Sequence, residues 1–271
     1  MPELPEVETT RLGLLPLINQ SVARVVIRNG SLRWPIPESL PGLLNGQTLR
    51  SLTRRAKYIL AHFDHGVLLL HLGMSGRICL LAQDEPPQKH DHFDIYFANG
   101  QVLRLRDPRR FGAVLWAGKN PEEHMLLKVL GPEPLDDVFT GQYLYQHMRT
   151  RTAAIKTTIM DSHLVVGVGN IYASESLFRA RIHPEKSAKN LTLAECERLV
   201  GEIKSTLTDA LAAGGSSLRD FFGTDGNPGY FQQQYFVYGR TGQPCRVCGA
   251  PIATLRQGQR STFYCAKCQR L

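Results

Sequence analysis

The sequence predicts an α+β protein: an N-terminal two-sheet antiparallel β-sandwich, a helical C-terminal half and a small cysteine-clamped finger. Three observations carry that prediction. Short aliphatic runs punctuated by turn residues fill the N-terminal half, helical periodicity takes over beyond Asn120, and two Cys-x-x-Cys pairs close the chain. Its 271 residues amount to about two domains at roughly 150 residues each, enough to bury cores without disulfides.

A short helix is expected from about Pro5, with proline at a tolerated first-turn position. Strands follow at Val22–Arg28, Gln47–Thr53, Lys57–Phe63, Val67–Leu72, His92–Ala98 and Gln101–Arg106, each short and rich in aliphatics. Asp64-His65-Gly66 and Asn99-Gly100 are hairpin signals between neighbouring runs. Helices are expected at Pro121–Leu130, Gly141–Met148, Ala153–Met160, Ile171–Ala180 and Leu193–Ala212. The last has Thr192 at its N-cap and Gly214 just beyond its end. Gly214–Tyr230 reads as a mobile loop containing one short helical turn. No internal repeat or low-complexity tract is present.

Charge narrows the function. The net +8 and pI near 9.3 suit a polyanionic partner such as nucleic acid or an anionic membrane surface. The excess is uneven: between Gly226 and Leu271 there are six bases and no acid. The longest apolar run, near Val67–Leu70, falls far short of the roughly 18 residues of a membrane span. Acids stand near the N-terminus where a signal peptide carries bases, so a cytosolic address is expected.

Cys245-x-x-Cys248 and Cys265-x-x-Cys268 are spaced so that four thiolates converge tetrahedrally on one structural Zn²⁺, as in a zinc ribbon. Two disulfides also fit the spacing but suit an oxidising compartment, and a redox dithiol normally needs a single pair. Cys79 and Cys196 read as small apolar fillers. Arg256, Arg260 and Lys267, at and beside the hairpin between the pairs, suit a phosphate backbone or simply form a solvated basic loop.

Val165–Asn170, with glycines at 167 and 169, permits close backbone approach, and Asn170 can cap the helix that follows to make a phosphate site; an interhelical turn explains it equally well. Among the bases of the strand half are Arg54, Arg55, Lys57, Arg104, Arg106, Arg109 and Arg110; any one alone is a solvated side chain. Asp107–Gly112 differs, because a turn sets arginine beside an exposed aromatic, Phe111, a pair able to enter a duplex. His71–Gly76 offers Met74 at a hairpin tip, where core packing is the competing reading. Removal of Met1 would leave a secondary amine on Pro2 beside Glu3. An α-amino group titrates near 8 and lysine near 10.4, so the terminus holds far more neutral amine, the nucleophile of Schiff-base chemistry.

Taken together, Pro2–Thr9, Arg55–Tyr58, His71–Gly76, Asp107–Gly112, Val165–Tyr172 and the cysteine pairs resemble the bacterial formamidopyrimidine-DNA glycosylases over nearly the whole chain. The resemblance implies a β-sandwich with flanking helices (1–134), a helix-two-turn-helix domain with a lesion-capping loop (135–234) and a zinc finger (235–271), with duplex DNA across the cleft between the domains. It implies a monomeric glycosylase/AP lyase that excises 8-oxoguanine and formamidopyrimidines and cuts at abasic sites, acting at the bacterial nucleoid.

Carried over by motif, Pro2 is the nucleophile at C1′, Glu3 moves protons during ring opening, and Lys57 and Arg260 serve β- and δ-elimination. The resemblance assigns His71, Lys57, Asn170 and Arg260 to the phosphates flanking the lesion. His90, Arg109 and Arg151 fall at DNA contacts, Arg151 where lysine is common. Met74, Arg109 and Phe111 form the wedge that fills the void, with Arg109 reading the opposite cytosine. Glu6 and Glu175 match acidic positions near the damaged nucleotide. Two other readings compete. One is an endonuclease VIII-type enzyme for oxidised pyrimidines, against which stand Leu4, Val7 and the wedge; the other is a non-catalytic zinc-dependent DNA-binding protein, which has no use for a processed proline.

Overall fold

The computed structural model describes residues 2–216, 224 and 229–271; the tip of the 214–230 loop, with its expected helical turn, lies outside the described residues. The chain forms two compact units. Met1–Lys128 with Ala213–Gln232 make the first, and Val129–Ala212 with Gln233–Leu271 the second.

In the first unit, α1 (Leu4–Gly13) places Pro5 in its first turn, where proline's missing N–H costs nothing. The chain continues through β1 (Val22–Ile27), α2 (Leu40–Leu44), β2 (Leu49–Arg55), β3 (Tyr58–Phe63), β4 (Gly66–His71), β5 (Arg77–Leu81), β6 (Asp91–Phe97), β7 (Val102–Arg106) and β8 (Ala113–Trp116). Two antiparallel four-stranded sheets result, ordered β1-β6-β7-β5 and β2-β3-β4-β8. Leu52, Ile59, Leu68, Leu70, Phe93, Ile95, Leu103 and Leu105 belong to one buried cluster drawing on both sheets, which is the core of a sandwich. The expected hairpins form: Phe63 pairs with Gly66 across Asp64-His65, and Gly100 takes φ +87° between β6 and β7.

The second unit holds α3 (Gly141–Met148), α4 (Ile155–Ile159), α5 (Asn170–Arg179), α6 (Leu193–Ala212) and a hairpin of β9 (Ala253–Gln257) and β10 (Arg260–Tyr264). Helix α6 matches its expected bounds. Thr192 Oγ1 accepts the Glu195 N–H at 3.2 Å while the Glu195 carboxylate accepts the Thr192 N–H at 2.9 Å, a capping box.

Four expectations need correction. The helix expected over 121–130 is only a 3₁₀ turn, Pro121–Glu123. Leu127 is the one buried hydrophobic of that stretch, so no apolar face exists to stabilise a longer helix. β5, β8 and α2 were not anticipated, being short, and β5 is partly buried along its length with no strict alternation. The 153–160 helix is shorter, at Ile155–Ile159. Finally, Gly169 is the N-cap of α5 and Asn170 its first helical residue, so the Asn170 side chain is turned to other partners. Cys196 is buried as expected of a filler, whereas Cys79 is only half-buried.

Candidate active site and nucleic-acid interface

In the first unit Pro2 and Glu3 are both buried. Pro2 precedes Glu3, which is extended, 1% exposed and the N-cap of α1. The Glu3 N–H donates to Glu6 Oε2 at 2.8 Å, and Glu6 Oε1 accepts the Ser216 N–H at 2.7 Å. Glu6 thus fastens the start of α1 to the base of the 214–230 loop. At Gly215, φ +79°, an added Cβ would lie 3.0 Å from Glu6 Oε1.

Lys57 follows Ala56 in the two-residue turn between β2 and β3, and Ala56 takes φ +54°. His71 ends β4 opposite Tyr58, with ring centroids 4.8 Å apart. Burial, and then the charges of Lys57 and Arg33, push the His71 imidazole down to about 4. Its Nδ1 accepts the Gly73 N–H at 3.0 Å, so the proton of the neutral ring sits on Nε2. His71 is therefore a neutral hydrogen-bond donor beside a cation, an arrangement suited to a phosphate oxygen.

The proposed wedge residues come from two loops joined by Asp107, which is fully buried. Its carboxylate accepts Ser75 Oγ at 3.0 Å and the Gly112 N–H at 2.7 Å, its N–H donates to the His90 carbonyl at 3.0 Å, and its own carbonyl lies 2.9 Å from His92 Nε2. At Gly73, φ +61°, an added Cβ would stand 2.4 Å from the Phe111 carbonyl carbon, so only glycine lets these backbones touch. The result gathers Met74, Arg109 and Phe111 around one tie. Met74 is 39% and Phe111 40% exposed, which removes the core-packing reading, and the Arg109 guanidinium lies 4.7 Å over the Phe111 ring. His90 is half-buried at φ +77°, and the Asp91 that follows it pairs with Arg106 at 2.6 Å.

In the second unit Lys156 is 1% exposed and its Nζ donates to Asn170 Oδ1 at 2.5 Å and to Thr262 Oγ1 at 2.7 Å. Asn170 Nδ2 donates to the Ser261 carbonyl at 2.9 Å. Helix α4, helix α5 and β10 are thereby joined at one buried ammonium, next to Arg260, which is exposed at the start of β10. Arg151 pairs with Asp161 at 2.8 Å; although burial opposes it, hydrogen bonds from Arg151 and His163 hold that carboxyl down at about 2. Glu175 is fully buried and accepts the N–H groups of Phe236, Val237 and Tyr238 at 2.8–3.0 Å, so it anchors the chain entering the finger.

The four cysteine sulfurs all lie within 4.8 Å of one another, with Cys245 and Cys268 at 4.0 Å and Cys248 and Cys265 at 3.5 Å. A tetrahedron with Zn–S bonds of about 2.3 Å has edges of roughly 3.8 Å, so the donor set fits zinc. The Val247 N–H donates to Cys245 Sγ at 3.4 Å, the kind of contact that stabilises a metal thiolate.

Sequence reasoning missed Ser75 and the tie made by Asp107 in the first unit, and Lys156 as the partner of Asn170 in the second. An aspartate opening a turn before Pro108 is a signal for side-chain capture of backbone N–H groups. A lone lysine on a short helix carries no such signal.

Three family models match the chain: "Formamidopyrimidine-DNA glycosylase N-terminal domain" over residues 1–114, "Formamidopyrimidine-DNA glycosylase H2TH domain" over 130–222 and "Zinc finger found in FPG and IleRS" over 242–271. The chain is 70% identical over 270 residues to a formamidopyrimidine-DNA glycosylase of Methylobacillus flagellatus, covering 100% of this chain and 97% of that one. It is 53% identical over 271 residues to the Escherichia coli O6:H1 protein of the same name, with both chains fully covered. Among solved structures, the complex between Lactococcus lactis Fpg and DNA containing an abasic site superposes with a TM-score of 0.92 at 34% identity, covering 100% of both chains. The MutM (Fpg) protein from Thermus thermophilus gives 0.90 at 37%, covering 99% of this chain and 98% of that one.

Proposed function

The chain belongs to the formamidopyrimidine-DNA glycosylase family, and from that premise we propose that it excises oxidised purines from duplex DNA through a Schiff base on Pro2 and then cuts the strand. The observation that carries this reading is the buried Pro2-Glu3 pair at the start of α1, tied through Glu6 to the base of the 214–230 loop. Pyrimidine repair and passive DNA binding are not favoured beside these relatives.

With Met1 removed, the Pro2 nitrogen attacks C1′ of the damaged nucleoside, and the bond from C1′ to the base breaks. The base leaves with a proton, and Glu3 moves protons as the sugar ring opens to an iminium. The positively charged nitrogen acidifies the C2′ hydrogen. Loss of that proton forms the C2′–C3′ double bond and expels the 3′ phosphate, and a second elimination expels the 5′ phosphate. Lys57 and Arg260 neutralise the departing phosphates. That role suits a guanidinium better than proton donation, because arginine scarcely loses its proton.

His71, Lys57, Asn170, Arg260, His90 and Arg151 bind the backbone, while Met74, Arg109 and Phe111 fill the space left by the extruded base. Cys245, Cys248, Cys265 and Cys268 hold one structural zinc, which shapes the β9–β10 hairpin and takes no part in the chemistry. No helix among the described residues is long and apolar enough to cross a membrane. The enzyme acts as a monomer in the bacterial cytoplasm, at the nucleoid.

Borohydride added during reaction with duplex containing 8-oxoguanine opposite cytosine is expected to trap a covalent complex at Pro2, read by peptide mass. Excision by protein with a verified free Pro2 that never traps would overturn the Schiff-base mechanism.

A further inference from the structure

We propose that Glu8 and Arg54, which the proposed chemistry does not use, form a positioning link that sets Lys57 relative to the helix carrying the Pro2 nucleophile; the proposal rests on the functional reading above. Glu8 lies on α1, the helix that begins right after Pro2-Glu3. Its carboxylate accepts Arg11 Nη2 at 2.6 Å and Arg11 Nε at 3.0 Å, all within the helix, and then Arg54 Nε at 3.1 Å from β2. Each guanidinium spends another N–H on a backbone carbonyl of the β2 segment. Arg11 Nη1 donates to Leu52 at 3.1 Å, and Arg54 Nη1 donates to Ala56 at 2.8 Å.

One carboxylate thus clamps α1 to two carbonyls four residues apart, and the second belongs to the residue just before Lys57. The clamp matters at that point because Ala56 takes φ +54°, a left-handed conformation that L-residues other than glycine rarely adopt. Such a turn persists only where its surroundings hold it, and the Ala56 carbonyl is what Arg54 grips. The three side chains are 14–20% exposed, so this is no solvated surface pair. Arginine is the required residue at 54: its planar fork reaches a carboxylate and a carbonyl at once, whereas a lysine ammonium on the same stem serves one point.

The experiment compares R54K, R54M and E8Q with wild type on duplex containing a preformed abasic site, under single-turnover conditions with enzyme in excess. The readouts are the rate of strand cleavage, the rate of borohydride trapping, the Kd for a tetrahydrofuran abasic analogue, and the melting temperature. R54K and R54M are expected to cleave at least tenfold more slowly with Kd within threefold of wild type. E8Q, which keeps an acceptor but loses the charge, is expected to fall between them and wild type. Cleavage by both Arg54 variants within twofold of wild type, or a loss of Kd matching the loss of rate, overturns the proposal. Where the Arg54 variants do not fold, E8Q decides, a fivefold slower cleavage at unchanged Kd supporting the link and a smaller effect overturning it. Failure of wild type to trap at all would instead sink the Schiff-base reading, so the two failures are distinguishable.

Discussion

His71 is proposed to face phosphate without carrying a positive charge, and the consequence is measurable. Its folded-state pKa of about 4 lies below the ordinary 6.5, so the unfolded chain binds a proton that the folded chain refuses. Its contribution therefore lowers stability as pH falls through 6.5 towards 4, by on the order of 3 kcal/mol at the low end, and is absent above 6.5. Urea melts from pH 7.5 to 4.5 should show H71Q losing less stability than wild type across that window; parallel loss would show that the imidazole protonates normally. At fixed ionic strength, the Kd for tetrahydrofuran DNA should also lack a step near 6.5 in wild type that is missing in H71Q. A nitrogen-15 shift of a protonated Nε2 would report the same tautomer directly.

The proposed wedge rests on an element-level contact rather than on its own residues. Replacing Gly73 by alanine forces a residue at φ +61° and drives a methyl into the Phe111 backbone, 2.4 Å away, where no flexible side chain can yield. G73A is expected to lose at least about 2 kcal/mol in urea melts. It should also weaken binding of tetrahydrofuran DNA tenfold or more, whereas M74L should do neither; wild-type affinity in G73A would dissociate the loop contact from the wedge. This contact also marks what could be read from sequence. Turn chemistry is local, so Asn99-Gly100, Asp107–Gly112 and the cysteine pairs were legible from neighbouring residues. The ties were not, because they join distant positions: Ser75 to Asp107 across 32 residues, Lys156 to Thr262 across 106. The 121–130 segment misled for the opposite reason, since Pro-Glu-Glu opens like a helix while burial, a tertiary property, decides whether one continues.

Across the whole molecule, charge and fold make opposite claims about the finger. Four thiolates and one Zn²⁺ contribute about −2, so a net charge of +8 becomes about +6 once zinc is bound. If the basic tail bound DNA through charge alone, removing zinc would leave affinity unchanged or improve it. If Arg260 must be held at the start of β10, removal should be ruinous. The finger's own core is small, with Val237, Cys245, Ile252 and Cys265 packed on Phe178, and structural zinc is worth on the order of 10 kcal/mol to such a module. Chelation, or Cys245→Ser, is therefore expected to lower affinity for tetrahydrofuran DNA at least 100-fold at constant salt, while the β-sandwich, whose buried cluster contains no cysteine, keeps a cooperative melt. Salt titration separates the two kinds of contact within the holoenzyme. R260Q should reduce the slope of log K against log salt by about 0.9, the loss of one phosphate-neutralising cation, and H71Q should leave it unchanged because a neutral imidazole releases no counterion. Undiminished affinity in verified metal-free protein would make the finger a bearer of charge only, and Arg260 would then need no fixed position to act.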